Sequence, residues 1–160
     1  MDLKKGLKIK ALVIAIAIPL AVGGLAALLS GDGFAIFKTL YKPLFSPPGW
    51  VFPVVWTILY VMMGVASYLV YEAPVSAPRK KRALWVYAIQ LLVNFFWPLL
   101  FFGWGLYTAA FLWLILLWLL VLLCYVLFGA ISQTAGKLML PLLLWVSFAA
   151  YLNLGVALLN

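Results

Sequence analysis

The chain has 160 residues, of which 69% are hydrophobic and only 9% are charged. Soluble domains are about half apolar and a quarter charged, so this composition excludes an ordinary water-soluble fold and indicates that lipid surrounds most of the chain. The formal net charge of +8 arises from 11 basic and 3 acidic residues. Basic residues that flank apolar runs, as these do, are typical of topology signals and anionic headgroup contacts, and we expect no nucleic-acid partner.

Two residue types that carry much protein chemistry are missing or rare. The sequence contains no histidine, which excludes histidine acid–base catalysis and histidine ligation of zinc or haem. A single cysteine, Cys124, excludes an intrachain disulfide and a thiolate metal cluster. It lies within an apolar run, where we interpret it as a packing residue. We therefore expect no metal site and no required cofactor.

Five apolar runs are long enough to cross a bilayer, for which a helix needs roughly 20 residues. They predict an all-α integral membrane protein, a five-transmembrane-helix bundle that forms one domain over residues 1–160, with a loop over 30–48. The first run follows MDLKKGLKIK and so resembles a secretory signal, but it is longer than a signal core and we expect an uncleaved helix. The predicted spans cover about 11–29, 50–71, 83–103, 107–128 and 138–159.

The distribution of lysine and arginine predicts how the chain crosses the membrane. Nine of the 11 basic residues lie in the N-terminal segment, in 72–82 or in 129–137, which alternating spans place on one side. The other two, Lys38 and Lys42, lie on the opposite side. Because cytoplasmic loops are enriched in basic residues, we expect a multi-pass protein with a cytoplasmic N-terminus and an external C-terminus. We also expect the membrane to be a bacterial cell membrane.

Charged residues all lie outside the predicted spans or at their ends. Ion-coupled transporters usually bury ionisable groups along their pathway, and acid–base catalysis often uses paired carboxylates, so both are disfavoured. The polar and aromatic groups inside the spans repeat every three or four residues, which places them on single helix faces. These stripes are Trp56, Tyr60 and Gly64 in the second span, Gln90, Asn94, Trp97 and Phe101 in the third, and Trp145, Ala149 and Asn153 in the fifth.

The residues alone leave two interpretations of these stripes open. Amides that face lipid would be costly, so both interpretations direct the stripes toward the bundle interior. In the first, Gln90 and Asn94 join neighbouring helices, and tryptophans fill space or, like Trp85 and Trp104 near span ends, lie at the membrane interface. In the second, large flat side chains with a few hydrogen-bonding groups line a pocket for a planar hydrophobic ligand.

Three long stretches of the sequence carry motifs of one family. The second span begins within KPLFSPPGWVFPVVWTILYVMMGVASYLVYE (42–72). The third contains YAIQLLVNFFWPLLFFG (87–103), with the pattern Q-x-x-x-N-x-x-W-P-x-x-F-F, and the fifth contains LPLLLWVSFAAYLNLGV (140–156), with P-x-x-x-W-x-x-F-x-x-x-L-N. Over nearly its whole length, the chain resembles the translocator protein family, TspO/MBR, also called tryptophan-rich sensory proteins or peripheral benzodiazepine receptors.

The resemblance implies a five-helix membrane bundle, usually a homodimer, that binds porphyrins, sterols and benzodiazepine-type compounds beneath its first loop. By motif position, Pro47, Pro48 and Trp50, together with the nearby Pro43, resemble the junction between a lid and the second helix. Prolines are tolerated there because the first N–H groups of a helix have no intrahelical partner. The positions that match the family's pocket are Trp56, Asn94, Trp97, Trp145 and Ala149, and the stripes add Tyr60, Gln90 and Asn153.

The sequence departs from the family's pattern in two places. Asn153 is followed by LGVALLN, which lacks the Tyr and Arg of the sterol-associated segment in animal members, so sterol binding through that segment is not expected. Trp113 stands where the family commonly has an acidic residue early in its fourth helix, so a role for that carboxylate is not expected either.

These observations favour a membrane binding and sensory protein that takes up a porphyrin, haem or a similar planar hydrophobic ligand and influences its handling. One alternative is a transporter of porphyrin or other apolar metabolites, although the inverted repeats and broken helices typical of transporters are not evident. The other is a light-dependent porphyrin-degrading enzyme, although the sequence shows no constellation of acid, base, metal ligand and nucleophile.

Overall fold

The structure is a computed structural model that describes the backbone of residues 2–160, and the side chains of all of these except 2–5, 7 and 34. Six α-helices and one π-helical turn make up this part of the chain. They are α1 (Asp2–Leu29), α2 (Gly33–Thr39), α3 (Val51–Glu72), α4 (Ala77–Pro98), the π-helical turn (Leu99–Gly103), α5 (Tyr107–Gly129) and α6 (Gln133–Leu159).

Five helices of the described chain are long and apolar enough to cross a membrane, which confirms the predicted all-α five-helix architecture. The short helix α2 lies in the connection between the first two spans. The apolar spans are Lys8–Leu29, Val51–Glu72, Ala77–Gly103, Tyr107–Gly129 and Gln133–Leu159.

Hydrogen bonds between distant residues show which connections share an end of the bundle. The side chain of Asn160 bonds to the backbone of Tyr41, which brings the α1–α3 connection beside the end of α6. At the opposite end, Nη2 of Arg79 donates to the carbonyl oxygen of Ala130 at 2.9 Å, which joins the start of α4 to the end of α5. We call the first the loop end and the second the basic end.

Three helices begin earlier than the spans that the sequence predicted, α1 at Asp2, α4 at Ala77 and α6 at Gln133. The prediction assigned the charged and polar residues before each apolar run to loops, whereas lysine, arginine and glutamine are good helix formers. Pro78 lies in the first turn of α4, where a proline is tolerated. The hydroxyl of Ser132 caps α6 by accepting a hydrogen bond from the Ala135 N–H at 3.3 Å.

The first connection is more ordered than the predicted loop because it contains α2. A carboxylate oxygen of Asp32 caps this helix by accepting a hydrogen bond from the Ala35 N–H at 3.1 Å. After α2 the chain turns through the proline pair, and the Val51 N–H donates to the Pro48 carbonyl oxygen at 3.0 Å. The helix α3 therefore begins at Val51, three residues after Pro48.

The third span continues beyond Pro98 as a π-helical turn, which the sequence did not predict. The Trp104 N–H donates to the carbonyl oxygen of Leu99 at 2.9 Å, which closes the wider ring of a π-helix. A proline cannot donate a backbone hydrogen bond and crowds the preceding turn, and π-helical turns are one way a helix accommodates such a break. The turn brings Phe102 to the cavity described below.

The helices α1 and α3 pack so closely that their backbones touch at Gly64. A Cβ atom at Gly64 would lie 2.7 Å from the Ala15 carbonyl oxygen and would also meet the backbone of Ile16. Small residues that permit such close approach are typical of membrane helix pairs. The contact fixes α1, which is otherwise peripheral, beside α3.

The bundle interior lies mainly among α3, α4, α5 and α6. Cys124 is fully buried there, together with large apolar side chains such as Met63, Leu114 and Phe128. The outer surface is also apolar, as expected where lipid is the solvent, and α1 contributes much of it. The packed interior and the lipid-facing exterior of the bundle are thus both mainly apolar.

Candidate functional site

A cavity of about 390 Å³ lies at the loop end, between α1, α3 and α4. The first connection closes over it with Phe37 and Gly49. Exposed Gly31 and Asp32 form part of its rim. Its deeper walls are built from Trp56, Tyr60, Asn94, Trp97 and Phe102.

Flat aromatic rings make up most of the deep wall. The rings of Trp56 and Tyr60, one turn apart on α3, are stacked with their centroids 5.5 Å apart and their planes at 29°. Trp56 also faces Trp97 of α4 at 6.4 Å and 32°. Phe102 meets Trp97 edge-on at 6.1 Å. The periodic spacing in two helices therefore converges on one aromatic surface.

One amide supplies a hydrogen-bonding group within this apolar wall. The Tyr60 hydroxyl donates to Oδ1 of Asn94 at 3.2 Å, which orients the amide. The Nδ2 atom of Asn94 is buried and has no partner among the described residues. A buried unpaired donor costs free energy, so a ligand acceptor that displaced the side chains covering this atom would gain an interaction that the protein alone leaves unmade.

Asn153 lies behind the cavity wall rather than in it. Its Oδ1 atom accepts a hydrogen bond from Nε1 of Trp97 at 3.0 Å, and its Nδ2 atom donates to the Tyr107 carbonyl oxygen at 2.7 Å. Both ends of the amide are therefore used inside the protein. This residue joins helices, and so it positions Trp97 instead of contacting the cavity.

Two other predicted site residues on α6, Trp145 and Ala149, also do not line the cavity. Trp145 packs edge-on against Phe52, with centroids 5.9 Å apart, and Phe52 in turn lines the cavity. Ala149 is buried in the core of the bundle. The structure thus places the α6 stripe one layer behind the wall that α3 and α4 form.

Gln90 is fully buried on α4, one turn away from Asn94 and nearer the basic end. Neither its side-chain oxygen nor its nitrogen has a partner among the described residues, and it does not line the cavity. Trp113, which occupies the position of the missing acid, donates Nε1–H to the Val93 carbonyl oxygen at 2.7 Å. This indole links α5 to α4 and leaves no ionisable group at that position.

The predicted lid junction lies at the mouth of the cavity but does not supply its walls. Trp50 is 63% exposed, and the proline pair precedes it without lining the cavity. Pro43 packs against α6, where a Cβ atom at Gly155 would collide with its ring. The junction therefore anchors the first connection to α6, while Gly49 and Pro53 contact the cavity.

Sequence reasoning missed the contribution of α1. Gly23, Gly24 and Ala27 line the cavity from this helix, and Leu20 and Ser30 extend that wall. At Gly23 the ring of Tyr60 occupies the space that a side chain would fill. Gly24 and Ala27 carry at most a methyl group, and these small residues leave room for the cavity beside α1.

The lining of the cavity suits binding better than acid–base chemistry. Among the described residues that line it, Asp32 is the only carboxylate, and it is exposed at the rim and caps α2. The deep wall offers aromatic faces and an amide. A planar apolar compound with a hydrogen-bond acceptor is complementary to such a surface.

Comparisons with known proteins agree with this architecture. The sequence model of the TspO/MBR family matches residues 15–159. The tryptophan-rich protein TspO of Chlorobaculum tepidum is 40% identical over 124 residues, which are 78% of this chain and 78% of that protein. The tryptophan-rich sensory protein of Cereibacter sphaeroides is 36% identical over 134 residues, covering 84% and 81%. The translocator protein of Ovis aries is 35% identical over 126 residues, covering 78% and 75%.

Proposed function

Because this chain belongs to the TspO/MBR family of integral multi-pass membrane proteins, we propose that it binds a porphyrin or a similar planar hydrophobic ligand in the loop-end cavity. In this proposal the protein acts as a sensory binder that influences the handling of its ligand. The observation that carries the proposal is the pair of tryptophan faces, Trp56 and Trp97, beside the unpartnered Nδ2 of Asn94.

The size and shape of the cavity support a ligand of this class. Small-molecule pockets measure roughly 300–1,000 Å³ and are mostly apolar with a few placed polar groups. The cavity of about 390 Å³ lies at the small end of this range and is open at the rim formed by Gly31 and Asp32. A tetrapyrrole would place one edge against the tryptophans and extend through the rim.

A metal-free porphyrin fits the chain better than a tightly held haem. Haem iron in proteins is most often held by histidine, and this sequence contains none. The walls described above supply stacking surfaces and an amide donor, which recognise the macrocycle rather than a metal at its centre. Haem is therefore expected to bind through the same ring contacts and with little discrimination by its iron.

Quenching of tryptophan fluorescence by protoporphyrin in detergent micelles tests the proposal. Trp56→Ala removes one stacking face, worth roughly 0.5–1.5 kcal/mol beyond buried area, so the dissociation constant should rise several-fold. Trp85→Ala is the matched control, because Trp85 is 61% exposed on the outside of α4. Equal dissociation constants for the two variants would refute the cavity as the site.

Transport and light-dependent degradation remain alternative proposals for the same cavity. The name of the ovine relative, translocator protein, supports the first. Flux of porphyrin into liposomes that is equal with and without the protein would contradict transport. An absorption spectrum of protoporphyrin that changes under illumination with the wild-type protein, and more slowly with Trp56→Phe, would favour degradation over sensing.

We further propose that the chain lies in a bacterial cell membrane as a homodimer, with its basic end in the cytoplasm. The position of Lys8, Lys10, Arg79–Arg82 and Lys137 at that end supports this orientation, since cytoplasmic loops are enriched in basic residues. Cysteine labelling from outside intact cells, at Thr39→Cys and at Ser76→Cys, tests it. Labelling at position 76 rather than 39 would show that the basic end faces outward, contrary to the proposal.

A further inference from the structure

The geometry points to a second binding site, a cleft between α4 and α5 at the basic end that holds the phosphate group of an anionic phospholipid. The cleft has a volume of about 320 Å³ and lies at the opposite end of the bundle from the aromatic cavity. Two arginines, Arg79 and Arg82, line it together with the apolar side chains of Leu127 and Ile131.

The charges around the cleft are suited to an anion. Arg79 and Arg82 are its charged lining residues, and no described carboxylate lines it. The nearest acidic residue along the chain, Glu72 at the end of α3, is occupied by an ion pair with Lys8 at 3.4 Å. The positive charge of the two guanidinium groups is therefore not neutralised within the cleft.

The two arginines are arranged to act together. They are three residues apart in the first turns of α4, which places them on one helix face. Nη2 of Arg79 donates to the carbonyl oxygen of Ala130 at 2.9 Å, and this bond holds the guanidinium across the α4–α5 gap. A planar guanidinium offers several N–H donors in a fork that matches phosphate oxygens, so an anchored Arg79 retains donors for a phosphate beside Arg82.

The surroundings of the cleft favour a lipid over a free phosphate ion. Leu127 and Ile131 give the cleft an apolar wall that a hydrated ion would not need. Further along α4, toward the middle of the membrane, the outer face of the helix carries Trp85, Ile89 and Leu92. Their exposed fractions are 61%, 47% and 58%. Trp85 lies one turn beyond Arg82, about 4.5 Å along the helix axis, and tryptophans at such a depth are typical of the headgroup boundary.

A phospholipid can occupy the arginine-lined cleft and the exposed apolar face of α4 at once. Its phosphate would lie between the two guanidinium groups, and an acyl chain would follow the exposed apolar side chains of α4 into the hydrocarbon layer. Basic pockets between membrane helices bind anionic headgroups in this way, whereas a zwitterionic headgroup also brings a positive charge toward the arginines. The site is therefore expected to prefer phosphatidylglycerol to phosphatidylcholine.

Native mass spectrometry of the detergent-solubilised protein, mixed with equal amounts of dioleoyl phosphatidylglycerol and dioleoyl phosphatidylcholine, tests the site. The wild-type protein should retain phosphatidylglycerol several-fold more than phosphatidylcholine. Arg79→Gln/Arg82→Gln should abolish most of that preference. Because Arg79 also bonds to Ala130, the single variant Arg82→Gln is measured in parallel and should reduce the preference without loss of an internal hydrogen bond.

The matched control removes the same charge from the same helix outside the cleft. Lys80→Gln/Lys81→Gln should keep the wild-type preference, because neither lysine lines the cleft. If the arginine and lysine double variants lost the preference for phosphatidylglycerol equally, general surface charge would explain that preference. This result would overturn the site. A wild-type protein that retains both lipids equally would overturn it as well.

Two further experiments test whether the bound phosphate belongs to a lipid and whether the paired N–H donors of the guanidinium groups are needed. Millimolar inorganic phosphate should not displace phosphatidylglycerol, and displacement would reassign the cleft to a free anion. Arg79→Lys/Arg82→Lys keeps the charge and removes the fork, so it should retain less phosphatidylglycerol than the wild type. Full retention would contradict paired recognition by the guanidinium groups.

Discussion

Nε1 of Trp97 donates a hydrogen bond to Oδ1 of Asn153 at 3.0 Å, and this bond fixes a wall of the cavity to α6. Asn153 in turn donates to the Tyr107 carbonyl oxygen at the start of α5. One buried amide therefore holds three spans in register at the depth of the cavity. Asn153 of α6 therefore positions one wall of the cavity without lining the cavity itself.

The first prediction concerns this amide. Asn153→Ala leaves the buried Trp97 indole N–H and the Tyr107 carbonyl oxygen without their partner, and each unmade bond of this kind costs about 1–3 kcal/mol. We expect a lower free energy of unfolding and weaker porphyrin binding. Thermal unfolding in detergent measures the first, and fluorescence quenching the second.

A double-mutant cycle with Trp97→Phe identifies the cause. If the bond to Trp97 carries part of the effect, the stability losses of Asn153→Ala and Trp97→Phe will add to more than the loss in the double variant. Strict additivity would show that the two residues act independently, contrary to the observed geometry.

The second prediction compares two glycines of α1. A methyl group at Gly23 would collide with the Tyr60 ring, whereas one at Gly6, which does not line the cavity, would meet no atom within 4 Å. Gly23→Ala should therefore push the ring toward the cavity and weaken porphyrin binding several-fold. Gly6→Ala is the control, because both changes raise helix propensity by about 1 kcal/mol. Indistinguishable dissociation constants for the two variants would argue against Tyr60 as a wall of the site.

The third prediction concerns the seam between α1 and α3. Gly64→Ala would drive a methyl group into the backbone of Ile16, and overpacking of this kind costs typically about 1–3 kcal/mol. The variant should unfold at a lower temperature than the wild type. Gly103→Ala serves as the comparison, because its nearest neighbour would be 3.8 Å away, and it should unfold close to the wild-type temperature.

The fourth prediction concerns the attachment of the first connection to α6. Asn160 accepts from the Tyr41 N–H at 3.0 Å and donates to the Tyr41 carbonyl oxygen at 2.9 Å, and the Tyr151 hydroxyl donates to the Leu44 carbonyl oxygen at 2.8 Å. Removing these bonds with Asn160→Ala/Tyr151→Phe should free the segment. Hydrogen exchange of the peptide that spans 38–46 should become faster.

Leu158→Ala is the control for this experiment, because Leu158 lies on the same helix end and is 77% exposed. Its exchange in that peptide should match the wild type. Porphyrin dissociation measured by stopped flow should accelerate only in the double variant. Unchanged exchange in the double variant would mean that other contacts hold the segment closed.

The sequence predicted the five spans and much of the deep cavity wall, because long apolar runs and helical periodicity are local signals. Trp56, Tyr60, Asn94 and Trp97 lie on the faces that their spacing indicated, and the structure brings them together. Periodicity identifies a face of a helix, but it does not identify which neighbour covers that face. For this reason the spacing predicts Trp145 in the same wall, whereas in the structure it packs behind Phe52.

Other parts of the site left little local signal. The α1 wall consists partly of glycines, whose contribution is the space they leave, and this space depends on where the Tyr60 ring lies. The π-helical turn follows Pro98, and a proline near the end of a span is equally consistent with a simple helix end. The placement of Phe102 in the cavity wall could therefore not be anticipated.

The bond between Trp97 and Asn153 also bears on how selective the cavity can be. The indole N–H of Trp97 is already bonded to Asn153, so Trp97 offers the cavity an apolar ring face and no free hydrogen-bond donor. Among the described lining residues, the buried polar side-chain atom without a partner is Nδ2 of Asn94. In the proposed complex, a planar ligand that lies against these rings and meets a single amide donor would remain free to rotate in its own plane. Such a cavity would select ligands by thickness and by one acceptor, and it would tolerate wide variation around their periphery.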